Sequence, residues 1–334
     1  MDFAEYLSEN AHIVNDYLDT YFDAEKDVDI RKYLYDPLQE YTSNAGKRHR
    51  PLICMLACSA VGGNPMDALS SGAAVEHFHT AALIHDDIAD ESLIRRGKPC
   101  MHIAIGVGLA INAGDMALSS VMSSVVDDPS LDDHVKVRLV KELVDMDART
   151  IEGQALDVGW ARDRRYDITV DDYVKMATHK TAYYSGGVPL AIGAIVGGGS
   201  DEQVEALRHF GMLTGLAFQI QDDLLNLVGE AESTRKDFRS DITEGKRTFA
   251  VAHALQDSSV RDELIEILDS KTTDPAKLER AVELLEKSGS IAAARSYARN
   301  LIEEAKRGLV GSIEDSESRD LLLSMADYFV ERLG

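Results

Sequence analysis

Apolar residues along most of this chain recur at intervals of three and four positions, the period of one face of an α-helix. The pattern runs through residues 67–92, 99–126 and 132–157. Strand-type alternation of apolar and polar residues is not sustained anywhere, and only seven prolines interrupt the chain. The sequence therefore predicts an all-α fold.

Start and stop signals delimit further predicted helices. Ser200, with Gln203 three residues later, forms a capping box whose helix is expected to extend to Gly229. Asp274-Pro275 opens another helix, and Gly289 follows its C-terminal cap. The remaining predicted helices cover residues 170–181, 242–256, 290–310 and 316–332.

No linker, low-complexity tract or internal repeat divides the 334 residues, so we predict a single domain over residues 1–334. The 58 acidic residues outnumber the 35 basic ones, and the formal net charge of −23 disfavours nucleic acid and anionic membranes as partners. We expect no membrane span, because no apolar run of about 20 residues stands out.

Two features of the sequence predict a cytoplasmic location. The N-terminal residues 1–5 lack the basic start and apolar stretch of a secretory signal. The three cysteines do not form a disulfide framework, and Cys54 and Cys58 have the spacing of neighbours on a buried helix.

The first chemically informative segment is His-Asp-Asp-Ile-Ala-Asp at residues 85–90. On a helix, Asp86 and Asp90 share a face, whereas Asp87 points about 100° away. Paired carboxylates suit Mg²⁺, which takes the rest of its ligands from water and substrate phosphates. A solvated acidic helix end is the simpler alternative for this cluster alone.

Two basic clusters stand out in so acidic a chain. Arg95-Arg96-Gly97-Lys98 follows the carboxylates, and Lys47-Arg48-His49-Arg50 precedes Pro51, which we expect to occupy the first position of a helix. Arginine binds phosphate oxygens with forked donors, and helix N-termini attract anions. The clusters indicate two diphosphate sites, although surface basic patches remain the alternative.

The sequence Gln-Asp-Asp-Leu-Leu-Asn at residues 221–226 repeats the carboxylate arrangement inside an apolar stretch. Charged groups are costly to bury without a cation or partner, so two such clusters predict two walls of one metal-filled cavity. Polar groups at 152–157 and 179–181 fit either a binding site or an ordinary buried hydrogen-bond network. His79 fits either a ligand or a core histidine.

Taken in order, these motifs resemble the trans-isoprenyl diphosphate synthases, or polyprenyl synthases, over nearly the whole chain. The resemblance rests on Gly46-Lys47-x-x-Arg50-Pro51, His79, Asp86-Asp87-x-x-Asp90, Arg95-Arg96-Gly97, Gly153-Gln154-x-x-Asp157, Lys180-Thr181, Phe218-Gln219-x-x-Asp222-Asp223 and Asp241-Ile242-x-Glu244-Gly245-Lys246. It implies an all-α, single-domain helical bundle around a deep central cavity, usually a homodimer. It also implies condensation of isopentenyl diphosphate with an allylic diphosphate.

The resemblance further implies a role for each matched residue. The Mg²⁺ ligands would be Asp86, Asp90 and Asp222. The allylic diphosphate would be bound by Arg95, Lys180, Gln219, Lys236 and Lys246, and isopentenyl diphosphate by Lys47, Arg50, His79 and Arg96. Thr181 would orient the reacting carbons. Asn226 departs from the aspartate found there in many members, so we leave it out of the metal set.

Product length and two alternative functions complete the expectations. Small Ala81, five residues before Asp86, is expected to let the chain pass fifteen carbons, and Phe78 to stop it at twenty. The alternative is twenty-five carbons or more. A terpene cyclase would not need a second diphosphate site, so Lys47, Arg50 and Arg96 argue against that function. A non-catalytic regulatory subunit would be expected to have lost aspartates or arginines, which are present here apart from Asn226.

Overall fold

The structure is a computed structural model that describes residues 1–23, 26–43, 46–229 and 238–331. Its α-helices are α1 (Phe3–Tyr21), α2 (Val28–Ile30), α3 (Asp36–Ser43), α4 (His49–Ala60), α5 (Leu69–Ala89), α6 (Met101–Ile105), α7 (Val107–Val126), α8 (Asp133–Arg162), α9 (Val170–Ala177), α10 (Val188–Val196), α11 (Asp201–Val228), α12 (Ser240–Glu244), α13 (Phe249–Ala254), α14 (Arg261–Asp269), α15 (Pro275–Lys287), α16 (Ser290–Val310) and α17 (Glu317–Val330). Two π-helical segments (Arg31–Tyr35 and Thr178–Gly187), one 3₁₀ turn (Pro65–Ala68) and strands β1 (Ile94–Arg95) and β2 (Lys98–Pro99) complete the described structure. The all-α prediction is confirmed.

The predicted caps form as hydrogen bonds. The Ser200 amide donates to Gln203 Oε1 at 2.9 Å, and the Gln203 amide donates to Ser200 Oγ at 3.3 Å. Asp274 caps α15 by accepting from the Ala276 amide at 3.0 Å, and Gly289 follows with φ of +70°. These short-range signals are reliable because one side chain satisfies an otherwise unpaired helix-end group.

Two predicted helices are wrong as single elements. Residues 99–126 divide into α6 and α7 at Gly106, whose φ is +87°. Residues 242–256 divide into α12 and α13 after Gly245, whose φ is +70°. A right-handed helix has no place for positive φ, and glycine adopts it without a steric penalty.

The chain divides into two compact units. Unit 1 comprises 1–147, 187–208 and 309–325. Within it α5 packs along α7, and α4 packs on α5 and α10. Small residues of α5 and α7, among them Ala81, Ala113 and Ala117, allow the close approach and are completely buried together.

Unit 2 comprises 148–186, 209–308 and 326–334. Aromatic contacts support its core: the ring of Phe249 lies 5.8 Å from that of Tyr173 and 5.2 Å from that of Tyr297. The ring of Phe218 lies 4.9 Å from that of Phe329. The single-domain organisation stays a prediction.

Among the described residues, one helix, Val107–Val126, has the length and apolar composition of a membrane span, contrary to the expectation that no such apolar run stands out. Of its most apolar window, 44% is buried inside the protein. This helix also packs along α5, as the core helix of a globular protein does. It therefore gives no support for a membrane span.

Candidate active site

The first aspartate cluster lies at the C-terminal end of α5 in unit 1. Asp86 is half-buried, and Asp90 is the C-cap residue of the helix. Asp87 points to the other side and is only 1% exposed at its side chain. The negative end of the helix dipole adds to the attraction that Asp86 and Asp90 have for a cation.

Asp87 binds Arg95. Its Oδ1 accepts from Arg95 Nε at 2.6 Å and lies 2.5 Å from a second guanidinium nitrogen. Burial lowers the pKa of Arg95, but Asp87 outweighs that effect and the net shift is upward, so the guanidinium stays charged. The ion pair fixes the hairpin of β1 and β2, whose turn at Arg96-Gly97 has φ of 53° and 77°, as a type I′ turn requires.

A group of basic residues in unit 1 lies around His79. A Cβ atom added to Gly46 would stand 3.5 Å from an Arg96 guanidinium nitrogen, which places the 46–50 segment beside Arg96. Burial, followed by the charges of Arg50 and Arg96, lowers the pKa of His79 well below its usual value. His79 is therefore neutral and next to cations, which suits a hydrogen bond to an anionic ligand.

The expectation that Pro51 occupies the first helical position is wrong. Helix α4 begins at His49, which makes Pro51 the third residue of the helix. Proline is tolerated throughout the first turn because amides there lack a partner within the helix.

In unit 2, the π-helical segment Thr178–Gly187 carries Lys180 and Thr181. Glycines allow its backbone to approach neighbouring helices: a Cβ at Gly153 would lie 2.2 Å from the Lys180 amide nitrogen. A Cβ at Gly186 would lie 2.1 Å from the Gly211 carbonyl oxygen. π-Helical turns are frequent at functional sites, and here close packing holds one in place.

The two side chains of this segment are held by different partners. Lys180 Nζ lies 2.5 Å from Asp157 Oδ2. Thr181 Oγ1 donates to Gln219 Oε1 at 2.6 Å, and Gln219 Nε2 donates to Asp223 Oδ1 at 2.6 Å. Two predicted site residues, Thr181 and Gln219, thus lie in one hydrogen-bonded chain with Asp223, and Lys180 is bound separately by Asp157.

Within the second aspartate cluster on α11, Asp222 is exposed and Asp223 is buried. Tyr173 donates from its hydroxyl to Asp223 Oδ2 at 2.7 Å. Burial and then the charge of Asp241 raise the pKa of Asp223 to about 8. Asp223 is therefore mostly protonated at neutral pH in the metal-free protein.

Asn226 is buried and has a structural role. Its Nδ2 donates to Ser240 Oγ at 3.2 Å, and its Oδ1 accepts from the Asp241 amide at 3.3 Å. This use of both ends of the amide agrees with leaving Asn226 out of the metal set.

Two of the predicted lysines lie C-terminal to α11. Lys246 Nζ contacts Glu244 Oε2 at 2.5 Å and Asp241 Oδ1 at 3.9 Å. Lys236 falls outside the described residues, so its role stays a prediction.

Among the described residues, no three His, Cys, Asp or Glu side chains gather at metal-binding distance. The accessible donors of both clusters are carboxylate oxygens, with Asp86 and Asp90 on one helix and Asp222 on another. That donor set fits Mg²⁺, which binds one or two carboxylates and completes its ligands with waters and phosphates. It does not fit a metal held by protein ligands alone.

Sequence reasoning missed the residues that hold the site in place. Asp87 and Asp223 are both buried and bound to protein groups, and Tyr173 was not singled out. Periodicity signals only that Asp87 points away from Asp86. No sequence signal links Tyr173 to Asp223, which lies 50 positions later.

Comparison with known proteins gives a match over most of the chain. The sequence model described as polyprenyl synthetase matches residues 31–285. A short chain isoprenyl diphosphate synthase of Methanothermobacter thermautotrophicus is 40% identical over 289 residues, 86% of each chain. A geranylfarnesyl diphosphate synthase of Natronomonas pharaonis is 34% identical over 98% of this chain and 96% of its own.

Solved structures agree with the sequence matches. The geranylgeranyl pyrophosphate synthetase of Pyrococcus horikoshii is similar with a TM-score of 0.90 and 31% identity, over 99% of this chain and 98% of that one. A geranylgeranyl pyrophosphate synthase of Corynebacterium glutamicum, complexed with isoprenyl diphosphate and magnesium, has a TM-score of 0.89 at 29% identity over 99% and 100%.

Proposed function

Because this chain belongs to the polyprenyl synthetase family and is a trans-prenyltransferase, we propose that it joins isopentenyl diphosphate to an allylic diphosphate and releases geranylgeranyl diphosphate. The observation that supports this most is a repeated arrangement: each cluster has an accessible first aspartate, Asp86 or Asp222, followed by a buried one. The accessible carboxylates suit metal and substrate, while the buried ones hold neighbouring polar groups.

We propose Mg²⁺ as the metal, held by Asp86, Asp90 and Asp222. When bound, it would neutralise charge that develops on the leaving diphosphate. The support is the oxygen-only donor set and the magnesium in the related Corynebacterium glutamicum structure.

We assign Arg95, Lys180, Gln219, Lys236 and Lys246 to the allylic diphosphate. Lys47, Arg50, His79 and Arg96 are assigned to isopentenyl diphosphate. The support is that His79 is neutral beside Arg50 and Arg96, and that Arg95, Lys180 and Lys246 are each bound by a neighbouring carboxylate. Thr181, held by Gln219, would orient the reacting carbons.

The reaction needs no strong protein base. The allylic carbon–oxygen bond breaks and its electron pair leaves with diphosphate, which the guanidinium and ammonium groups stabilise. The isopentenyl double bond attacks the allylic cation, and the departing diphosphate accepts the proton that is then lost. Exclusion of water protects the cation from hydrolysis.

The proposed twenty-carbon length depends on the size of the α5 side chains that precede Asp86, Ala81 and Phe78. Ala81 is completely buried beside small residues of α7, among them Ala113 and Ala117, and contributes only a methyl group itself. Phe78, three residues further from Asp86, is buried as well. We expect Ala81→Phe to shorten the product and Phe78→Ala to lengthen it. Some relatives are named for geranylgeranyl and others for geranylfarnesyl products, so a product of twenty-five carbons stays the alternative.

We also propose a homodimer. Val137, Val144, Ile151 and Val158 recur every seven residues on α8 and are 39% to 71% exposed. An exposed apolar stripe of this spacing is typical of a helix that packs against another helix. Replacing Val144 and Ile151 together by glutamate should give monomers in light scattering, and an unchanged dimer would exclude this face.

A cytoplasmic location is proposed as well. Its support is that Cys54, Cys58 and Cys100 are all buried and that none of the three forms a disulfide, as in a reducing compartment.

Chain-length analysis tests the function directly. Purified protein is incubated with Mg²⁺, isopentenyl diphosphate and an allylic starter, and the prenyl products are extracted and sized. Twenty-carbon products are expected. A non-catalytic regulatory subunit would give no condensation with any starter.

A further inference from the structure

Arg48 lies in the middle of the basic run at residues 46–51, but its guanidinium binds protein groups. Nε donates to Asn15 Oδ1 at 2.8 Å, and one terminal nitrogen donates to Glu76 Oε1 at 2.7 Å. The other terminal nitrogen donates to the Thr42 carbonyl. Both Arg48 and Glu76 are buried, so helices α1, α3 and α5 all anchor this one side chain.

The backbone of Arg48 is in the left-handed region, with φ of +50°, directly before α4. A residue with a Cβ adopts this conformation only when its surroundings impose it, and such residues cluster at functional sites. At Arg48 this conformation coincides with a side chain that is anchored through three nitrogens. Arg48 lies between Lys47, which precedes α4, and Arg50, which is in its first turn. The backbone conformation at Arg48 therefore sets the direction in which both side chains extend.

Glu76 also lies beside the proposed isopentenyl diphosphate residues. It is three residues before His79 on α5. Burial lowers the pKa of Arg96, while Tyr41 and then Glu76 act in the opposite direction, which places the Glu76 charge near this cation as well. The negative charge of Glu76 thus offsets the repulsion between Arg48 and Arg96.

We propose that Arg48 and Glu76 are positioning residues for the isopentenyl diphosphate site, where they hold Lys47 and Arg50 in place without contacting the substrate. The inference rests on the proposed function, which assigns those two residues to that substrate. A pair that only stabilised the fold would not favour one substrate over the other.

The test is steady-state kinetics of Glu76→Gln, with each substrate varied while the other is saturating. The KM for isopentenyl diphosphate should rise about ten- to a hundredfold, because a shift of about 1 Å in binding groups has effects of this size. The KM for the allylic substrate and kcat should change less than about threefold on the same reasoning. Equal rises in both KM values would overturn the inference.

Two further variants separate positioning from stability. Arg48→Met with Glu76→Leu removes both buried charges, which often restores stability. The inference predicts that the KM for isopentenyl diphosphate stays raised in this double variant even where its melting temperature recovers. Recovery of both the KM and the melting temperature would overturn it.

Arg48→Lys keeps the charge and loses the forked donors. An intermediate KM for isopentenyl diphosphate is therefore expected, and a wild-type value would count against the inference.

Glu142→Gln is the matched control. Glu142 accepts from both terminal nitrogens of Arg208 at 2.8 and 2.9 Å, also in unit 1. Its loss should lower stability and leave the KM for isopentenyl diphosphate unchanged. If the wild-type protein forms no longer prenyl chain, the proposed function fails. If it does and Glu76→Gln shows no selective KM change, only this inference fails.

Discussion

The two aspartate clusters differ in what binds the buried carboxylate of each. In the first, Asp87 accepts from the charged guanidinium of Arg95. In the second, Asp223 accepts from the neutral groups of Tyr173 and Gln219, and it lies near other carboxylates. A buried carboxylate is stable beside a cation, but without one it binds a proton.

The comparison separates two tasks within each Asp-Asp pair. The first aspartate is half-buried at Asp86 and exposed at Asp222, and we propose that both bind metal. The second aspartate binds a neighbouring side chain. Asp87 binds Arg95, and Asp223 binds Gln219, which in turn accepts a hydrogen bond from Thr181. The two motifs are similar in sequence, but the buried aspartate binds a cation in the first and neutral groups in the second.

The largest effect is expected at the accessible aspartates. Asp86→Asn and Asp222→Asn should each lower kcat by about a hundred- to a thousandfold, because each removes a proposed ligand of the Mg²⁺ that would stabilise charge on the leaving diphosphate. Initial rates at saturating substrates measure this. Asp133→Asn, on the exposed start of α8, is the control and should keep the wild-type rate. Wild-type rates for either site variant would remove that cluster from catalysis.

The buried aspartates should differ in stability. Asp87→Asn leaves Arg95 buried without its partner and should lower the free energy of unfolding by about 3–5 kcal/mol. Asp223→Asn replaces a carboxyl that is mostly neutral and should not lower it. Urea denaturation at pH 7 measures both. Equal losses would contradict the contrast between the clusters.

The pKa of Asp223 predicts a pH dependence in metal-free protein. The pKa is raised to about 8 in the folded state, so folding favours the protonated form, and stability is lost as the pH rises from the unfolded value towards 8. Between pH 5.0 and 7.5 the free energy of unfolding of wild type should therefore fall relative to that of Asp223→Asn. Denaturation with a chelator present measures the difference, and parallel pH curves would refute the assignment.

The smallest effect is expected at Asn226. Asn226→Asp loses the bond from Nδ2 to Ser240 and adds charge near Asp241, so stability should fall by about 1 kcal/mol. The Mg²⁺ concentration for half-maximal rate should change less than about threefold, since metal affinity depends on direct ligands. A large gain in Mg²⁺ affinity would instead make this position a metal ligand.

Local signals in the sequence predict the fold well. The capping box at Ser200 and the cap at Asp274 form as expected, because each needs only residues close in sequence. Gly106 and Gly245 were the exceptions, since a pattern of apolar residues does not reveal a positive φ inside it.

The site is less predictable because its supports are distant in sequence. The motifs place Lys180 and Gln219 in one functional set, and that assignment stays a prediction. In the structure Gln219 is bonded to Thr181, and Lys180 to Asp157. The ion pair of Arg48 and Glu76 could not be predicted, because its members are 28 positions apart. The basic run at residues 47–50 also does not indicate which of its cations is buried. Tertiary packing decides such pairs.

The most direct test of the proposal that Asp86 and Asp222 bind one diphosphate through Mg²⁺ is a double-mutant cycle in binding. Calorimetry measures the affinity of an allylic thiolodiphosphate with Mg²⁺ for wild type, Asp86→Asn, Asp222→Asn and the double variant. We predict a coupling free energy of at least about 1 kcal/mol, as for groups that share a ligand. Losses that add to within about 0.5 kcal/mol would show that the two aspartates act independently.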